Sequence, residues 1–201
     1  MRDTYRTIES PAEGLYKEKG SKFLAFTFPI DHESSIKEQL AFLQKKYHDA
    51  RHHCYAWSLD PDRSLYRVND DGEPSGSAGK PIFGQILSRD LTQLLVVVVR
   101  YFGGTKLGVG GLINAYRSAA SVALDHSKII ECKVYDTLRL EFAYEQMNSV
   151  MKIIKDKQLD MEDQDFDMEC AMTLKSWKRN TKQVLDTFSK LSTCKIRLIA
   201  E

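Results

Sequence analysis

The sequence predicts an α+β protein of two domains, and three observations carry that expectation. All 11 glycines lie at or before Gly111 and all five prolines at or before Pro81, so the chain changes composition part-way along. The run Leu94 to Tyr101 is continuous and β-branched, as in a central strand buried on both faces. After about Ile130 to Lys133, hydrophobic periodicity runs strand, helix, strand, strand, helix, strand, the pattern of a ferredoxin-like βαββαβ module. The expected domains are residues 1–131 and 132–201.

In the first domain, Tyr5 to Ile8 reads as a short strand, and Leu15 to Glu18 with Lys22 to Pro29 as a hairpin around Lys19-Gly20-Ser21. Ile36, Leu40, Leu43 and Tyr47 recur at helical spacing within Glu33 to Tyr47. His53 to Leu59 and Leu65 to Val68 form a second hairpin, and Asp70 to Lys80 a polar loop. Pro81 suits the first turn of a helix running to about Arg89. A helix faced with alanines is expected from near Leu112. In the second domain, strands are expected at Val134 to Ala143, Leu159 to Phe166, Met168 to Leu174 and Lys195 to Ile199. Helices are expected at Glu145 to Lys157 and Thr181 to Leu191.

Composition narrows the function classes. Twenty-nine basic and 28 acidic residues give a formal charge of +1, so binding to nucleic acid needs a local basic patch. The four cysteines are scattered with no C-x-x-C pair, as expected of reduced thiols in a cytoplasmic protein. The N-terminus lacks an apolar signal-peptide core, and Leu94 to Val99 is far too short to span a bilayer, so no membrane partner is expected.

Five glycines fall between Gly103 and Gly111, between the apolar strand and the alanine-faced helix. Strand, glycine-rich turn and helix is the geometry that cradles anions on free backbone N–H groups. The nucleotide motifs fail: Gly103 to Gly108 has Walker A spacing, but Val109-Gly110 stands where Lys and Ser or Thr are required, and Ile113 where a dinucleotide fingerprint requires glycine. Two readings stand side by side. The glycines permit positive φ and close packing, or they form an anion-contacting loop in the company of Arg100, Lys106, Asn114 and Arg117, with Tyr101, Phe102 and Tyr116 interleaved.

The block RYFGGTKLGVGGLINAYRSAA, with DDGEPSGSAGKPI before it and ARHHCYAW further upstream, resembles the signature of the YigZ/IMPACT family. Ser77 stands where threonine is commoner and Phe83 where methionine or leucine is. The resemblance implies a first domain with the fold of domain 2 of ribosomal protein S5. The ferredoxin-like tail looks like the extra domain of the bacterial members, similar to domain V of elongation factor G. Eukaryotic relatives regulate translation, with an N-terminal domain that this sequence lacks.

Other constellations carry competing readings. His52 and His53 point to opposite faces of a strand, so they need Asp70, Asp71 or Glu73 to make a metal site. The loop Asp70 to Gly79 offers carboxylates and Ser75 and Ser77 for acid–base or nucleophilic chemistry, but also turn chemistry, and packing over the glycine turn with capping of the next helix is favoured. The acidic run Asp160, Glu162, Asp163, Asp165, Asp167 and Glu169 reads as a solvated hairpin. Lys175, Lys178, Arg179 and Lys182 read as a hydrated basic face.

The expectation is a cytoplasmic binding protein of the translation apparatus, engaging RNA, the ribosome or a translation-associated protein, without DNA sequence specificity. The expected nucleic-acid or anion site is Arg100, Tyr101, Gly103, Gly104, Lys106, Gly108, Gly110, Gly111, Asn114 and Arg117, with His52 and Lys80. No catalytic residue, metal or cofactor is assigned. The alternatives are an enzyme on an anionic small molecule, using Asp71, Glu73 or His52, and a protein–protein adaptor.

Overall fold

A computed structural model describes residues 2–166 and 169–199. The chain divides into two compact units, one of Thr4–Cys132 and one that begins at Lys133 and takes in Asp3.

The first unit contains β1 (Thr4–Ile8), β2 (Ala12–Glu18), β3 (Ser21–Pro29), α1 (Glu33–Lys46), β4 (His52–Ser58), β5 (Tyr66–Asn69), α2 (Gly79–Ser88), β6 (Leu94–Tyr101), α3 (Gly108–His126) and β7 (Ile129–Lys133). Five strands form a sheet in the order β2-β3-β6-β4-β5, every neighbouring pair antiparallel. The valine run is its central strand and serves two cores by parity. Leu94, Val96 and Val98 pack with Ile82, Ile86 and the inner side of α3, whereas Leu95, Val97 and Val99 pack with Ile36, Leu43 and Trp57. Alanines Ala115, Ala119, Ala120 and Ala123 bring α3 close to the sheet. At Gly14 on β2 an added Cβ would stand 2.6 Å from the Ala123 nitrogen, so strand and helix touch backbone to backbone.

Two elements depart from expectation. Helix α3 begins at Gly108 rather than near Leu112, so Gly108, Gly110 and Gly111 form its first turn instead of a loop. Residues 129–133 are a strand, β7, pairing with β1. Its sequence IIECK is too short and too lightly patterned to separate from the end of the preceding helix.

The second unit contains β8 (Tyr135–Ala143), α4 (Met147–Lys157), β9 (Asp160–Phe166), β10 (Glu169–Trp177), α5 (Thr181–Phe188) and β11 (Cys194–Ile199), with single 3-10 turns before each helix. The antiparallel order β11-β8-β10-β9 is that of a ferredoxin-like split βαβ pair. Leu138, Leu140, Phe142, Met172 and Leu174 form the buried face under Val150, Ile154, Val184 and Phe188. Without glycine, α4 ends on Gln158 in the left-handed region, φ 51°. The Asp3 carbonyl accepts from Val134 N and Trp177 Nε1, each at 2.9 Å, which ties the start of the chain to this unit. Asp160, Glu162, Asp163 and Asp165 lie exposed on edge strand β9, and Glu162 pairs with Lys175. Asp167, Met168 and the Glu169 side chain, which the expected strand and acidic run include, lie outside the described residues. The chain thus has a two-domain α+β fold, and none of its described helices is long and apolar enough to cross a membrane.

Candidate anion-binding site

Position 100 ends the valine run with the parity of Val98, so its side chain turns inward toward α3. It lies between Phe23 of β3 and His52 of β4 in the sheet register. Burying a guanidinium requires a counter-charge, and the loop between β5 and α2 supplies it. Glu73 Oε1 lies 2.6 Å from Arg100 Nη1, the side chains being 4% and 8% exposed. The Tyr116 hydroxyl donates to the same oxygen at 2.8 Å, and the Cys54 thiol lies 3.3 Å from that hydroxyl and 3.0 Å from the Asp70 carbonyl. Burial pushes both Cys54 and Tyr116 up, so neither ionises near neutral pH. The guanidinium carbon sits 5.5 Å from the Phe23 ring centre and 5.7 Å from that of Phe102, and Arg100 Nε has no hydrogen-bond partner.

The loop that carries Glu73 is fixed by its own side chains. The Asp70 carboxylate accepts from Gly76 N at 2.8 Å, Ala78 N at 2.9 Å and Gly79 N at 2.8 Å, satisfying free amides at the start of α2. Burial pushes the Asp70 carboxyl up, but those three amides and Lys80 outweigh it and hold the group below the usual carboxylate range. Asp71 Oδ2 accepts from His53 N at 2.6 Å, and the Asp71 carbonyl lies 2.7 Å from His52 Nδ1. Ser77 is buried and donates to the Pro74 carbonyl at 2.6 Å. The loop therefore caps α2 and lays Glu73 over the end of β6. Its carboxylates are engaged in this scaffold, and among the described residues no group of His, Cys, Asp and Glu is arranged to hold a metal ion.

Beside this buried pair lies an open cavity of about 860 Å³, lined by His52, Glu73, Arg100, Tyr101, Phe102, Lys106, Gly108, Val109 and Leu112, with Asp49 to Arg51 and Pro74. Tyr101 donates to Asp49 at 2.7 Å; that bond raises the phenol to about 12 and lowers the carboxyl. At the start of α3 no side chain caps the helix and no acidic residue stands in the first turn. Among the described residues no acceptor outside the helix meets the amides of Gly108, Val109 and Gly110, all on exposed residues of the first turn, where helix geometry leaves N–H groups without an i−4 carbonyl. Lys106, exposed just before them, lacks a carboxylate partner among the described residues.

Five of the residues expected from sequence line this cavity: His52, Arg100, Tyr101, Lys106 and Gly108. The others do not. Gly103 N donates to Ser21 Oγ at 3.1 Å, and an added Cβ at Gly103 would fall 1.9 Å from the Gly20 carbonyl carbon, so this glycine serves a backbone crossing. Gly104 has φ +86° with open space around it, and Gly111 lies against Leu107 Cβ. Gly110 lies in the first turn of α3, with neither positive φ nor a neighbour within 4 Å of an added Cβ. Asn114 and Arg117 lie further along α3, exposed, with Arg117 Nη1 3.3 Å from Asn114 Oδ1. Lys80 is exposed in the first turn of α2.

Three expectations are corrected. Arg100 is a buried, paired group rather than a free cation for phosphate. Tyr116, read as interleaved with the anion-contacting residues, is fully buried and belongs to the core. The glycine turn itself is mostly occupied with packing and backbone shape, and the free amides lie one turn later. The parity of Arg100 points it inward and demands a partner, but nothing local in the sequence names Glu73 as that partner. The places of Arg51, Leu107 and Val109 in the cavity wall carried no sequence signal.

Comparison with known proteins agrees with these motifs. The Impact N-terminal domain matches residues 19–124. The IMPACT family member YvyE of Bacillus subtilis is 31% identical over 158 residues, 79% of this chain and 73% of that protein. YigZ of Escherichia coli, also an IMPACT family member, is 36% identical over 117 residues, 57% of each chain. A crystal structure of a hypothetical protein superposes over 100% of both chains with a TM-score of 0.79 at 25% identity. The chain belongs to the IMPACT family.

Proposed function

We propose that this protein is a cytoplasmic binding protein of the translation apparatus, and that its N-terminal unit engages RNA through phosphate oxygens. The observation that carries this is the start of α3. Three exposed amides without acceptors point away from an uncapped helix whose first turn holds no acidic residue, and Lys106 stands next to them. Free amides and the helix dipole both favour a negative group at that place. The adjoining cavity gives a ligand body a place to lie. Glu73 is committed to Arg100 and Tyr116, and Asp70 to the α2 cap, which leaves binding better supported than acid–base chemistry.

A salt titration tests the reading. Affinity for ribosomes or structured RNA should fall linearly on a log–log plot, and Lys106→Ala should reduce the slope by about 0.7–0.9. A salt-insensitive signal, or no binding at low salt, contradicts it.

A further inference from the structure

The cavity beside α3 adjoins a second one, of about 520 Å³, lined by Leu15, Lys17, Gly20, Lys22, Leu24, Tyr47, Tyr101 and Phe102. Tyr101 and Phe102 belong to both. The two aromatics differ in freedom. The Tyr101 hydroxyl is held by Asp49, whereas the Phe102 ring is 58% exposed just past the end of β6. The Phe102 ring stands between the two hollows, and the guanidinium of Arg100 behind it holds its place.

The second hollow carries its own electrostatic anomaly. Lys17 of β2 and Lys22 of β3 stand directly opposite each other in the antiparallel register. Like charges so placed repel and destabilise the pair. Neither ammonium has a carboxylate partner among the described residues; the adjacent Glu18 accepts from the Tyr16 hydroxyl at 3.0 Å. An anion arriving from outside would relieve the repulsion. Cations therefore flank the exposed ring on both sides, Lys17 and Lys22 in one direction and Lys106 in the other.

We propose that Phe102 separates two pockets for consecutive unpaired bases of single-stranded RNA, the flanking phosphates meeting Lys17 and Lys22 on one side and Lys106 on the other. This rests on the RNA reading above and specifies its form. A flat apolar ring between two hollows, with charge beyond each, matches the alternation of base and phosphate along an unpaired strand. In a duplex the base faces are stacked on one another and closed to the ring. An acidic peptide would satisfy the lysines but offers Phe102 no planar partner.

The test is fluorescence anisotropy on the full chain, with short oligouridylates of increasing length, a duplex of matching length and oligoglutamate. Single strands should bind more tightly than the duplex. Phe102→Ala should weaken single-strand binding by about ten-fold, and Phe102→Trp should keep it. Lys17→Ala and Lys22→Ala should each lower the salt slope by about 0.7. Because all three side chains lie outside the cores, unchanged unfolding curves separate lost binding from lost fold. If duplex or ribosomal RNA binds and the Phe102 and lysine variants are without effect, the base pockets are overturned and the broader RNA reading survives. If no RNA binds at low salt, both are overturned. If oligoglutamate binds as tightly with the same sensitivities, the groove is a peptide site.

Discussion

Glu73 and Arg100 form a buried ion pair, 2.6 Å between Oε1 and Nη1, that joins the β5–α2 loop to the end of the central strand. Such a pair is a weak source of net stability, because taking two charges out of water offsets most of their attraction. Breaking it is another matter, since the remaining guanidinium would be buried without a counter-charge. Glu73→Gln should destabilise the N-terminal unit by about 3–5 kcal/mol. Replacing both partners with apolar side chains, as in Glu73→Leu with Arg100→Met, should cost much less than the sum of the single changes. Each unit holds one tryptophan, Trp57 and Trp177. Urea unfolding followed by Trp57 fluorescence in a Trp177→Phe background therefore reads the N-terminal unit alone.

Acid should weaken this unit in two separate windows. His53 is buried, which lowers its imidazole below the ordinary value against the opposing pull of Asp71. The unfolded chain then binds a proton that the folded chain does not, so stability is full above about pH 6.5 and declines as pH falls below it. The Asp70 carboxyl is also lowered in the fold. Its contribution is present above about pH 4 and is lost as pH falls through the folded value. Unfolding midpoints across pH should show both declines. His53→Gln should remove the upper one, and Asp70→Asn the lower, at a cost of about 1 kcal/mol at neutral pH from the weakened α2 cap.

Two glycines of the segment between β6 and the body of α3 should respond in opposite ways to alanine. At Gly103 the new methyl would collide with the Gly20 backbone, and neither segment can retreat without disturbing the β2–β3 turn. Gly103→Ala should cost about 3 kcal/mol or more. At Gly110 the methyl meets nothing within 4 Å and the residue is helical, so Gly110→Ala should stabilise by up to about 1 kcal/mol. It should also weaken RNA binding, because the methyl stands beside the amides assigned to phosphate. Thermal unfolding and a binding titration on the two variants separate these outcomes.

The large features were legible in sequence because burial and periodicity are local signals. The parity of Leu94 to Val99 divides two cores as the run implies, and the alternation of Leu138, Leu140 and Phe142 marks the inner face of the second sheet. The start of α3 was not legible. Gly108, Gly110 and Gly111 are poor helix formers, and only the tertiary fold of the alanine-faced helix carries them into its first turn. The site was legible in part for a similar reason. Composition placed cations near glycines, but which cation is buried depended on Glu73, which is distant in sequence. The Lys17–Lys22 apposition required the β2–β3 register, which shifts with every residue of turn length.

The most direct measurement is the affinity of the intact protein for single-stranded RNA as a function of salt, compared between the native chain and Lys106→Ala. The native chain should bind with a linear loss of log affinity against log salt, and Lys106→Ala should bind more weakly with a slope shallower by about 0.7. Equal slopes in the two proteins, or an affinity indifferent to salt, would contradict an RNA phosphate at the start of α3.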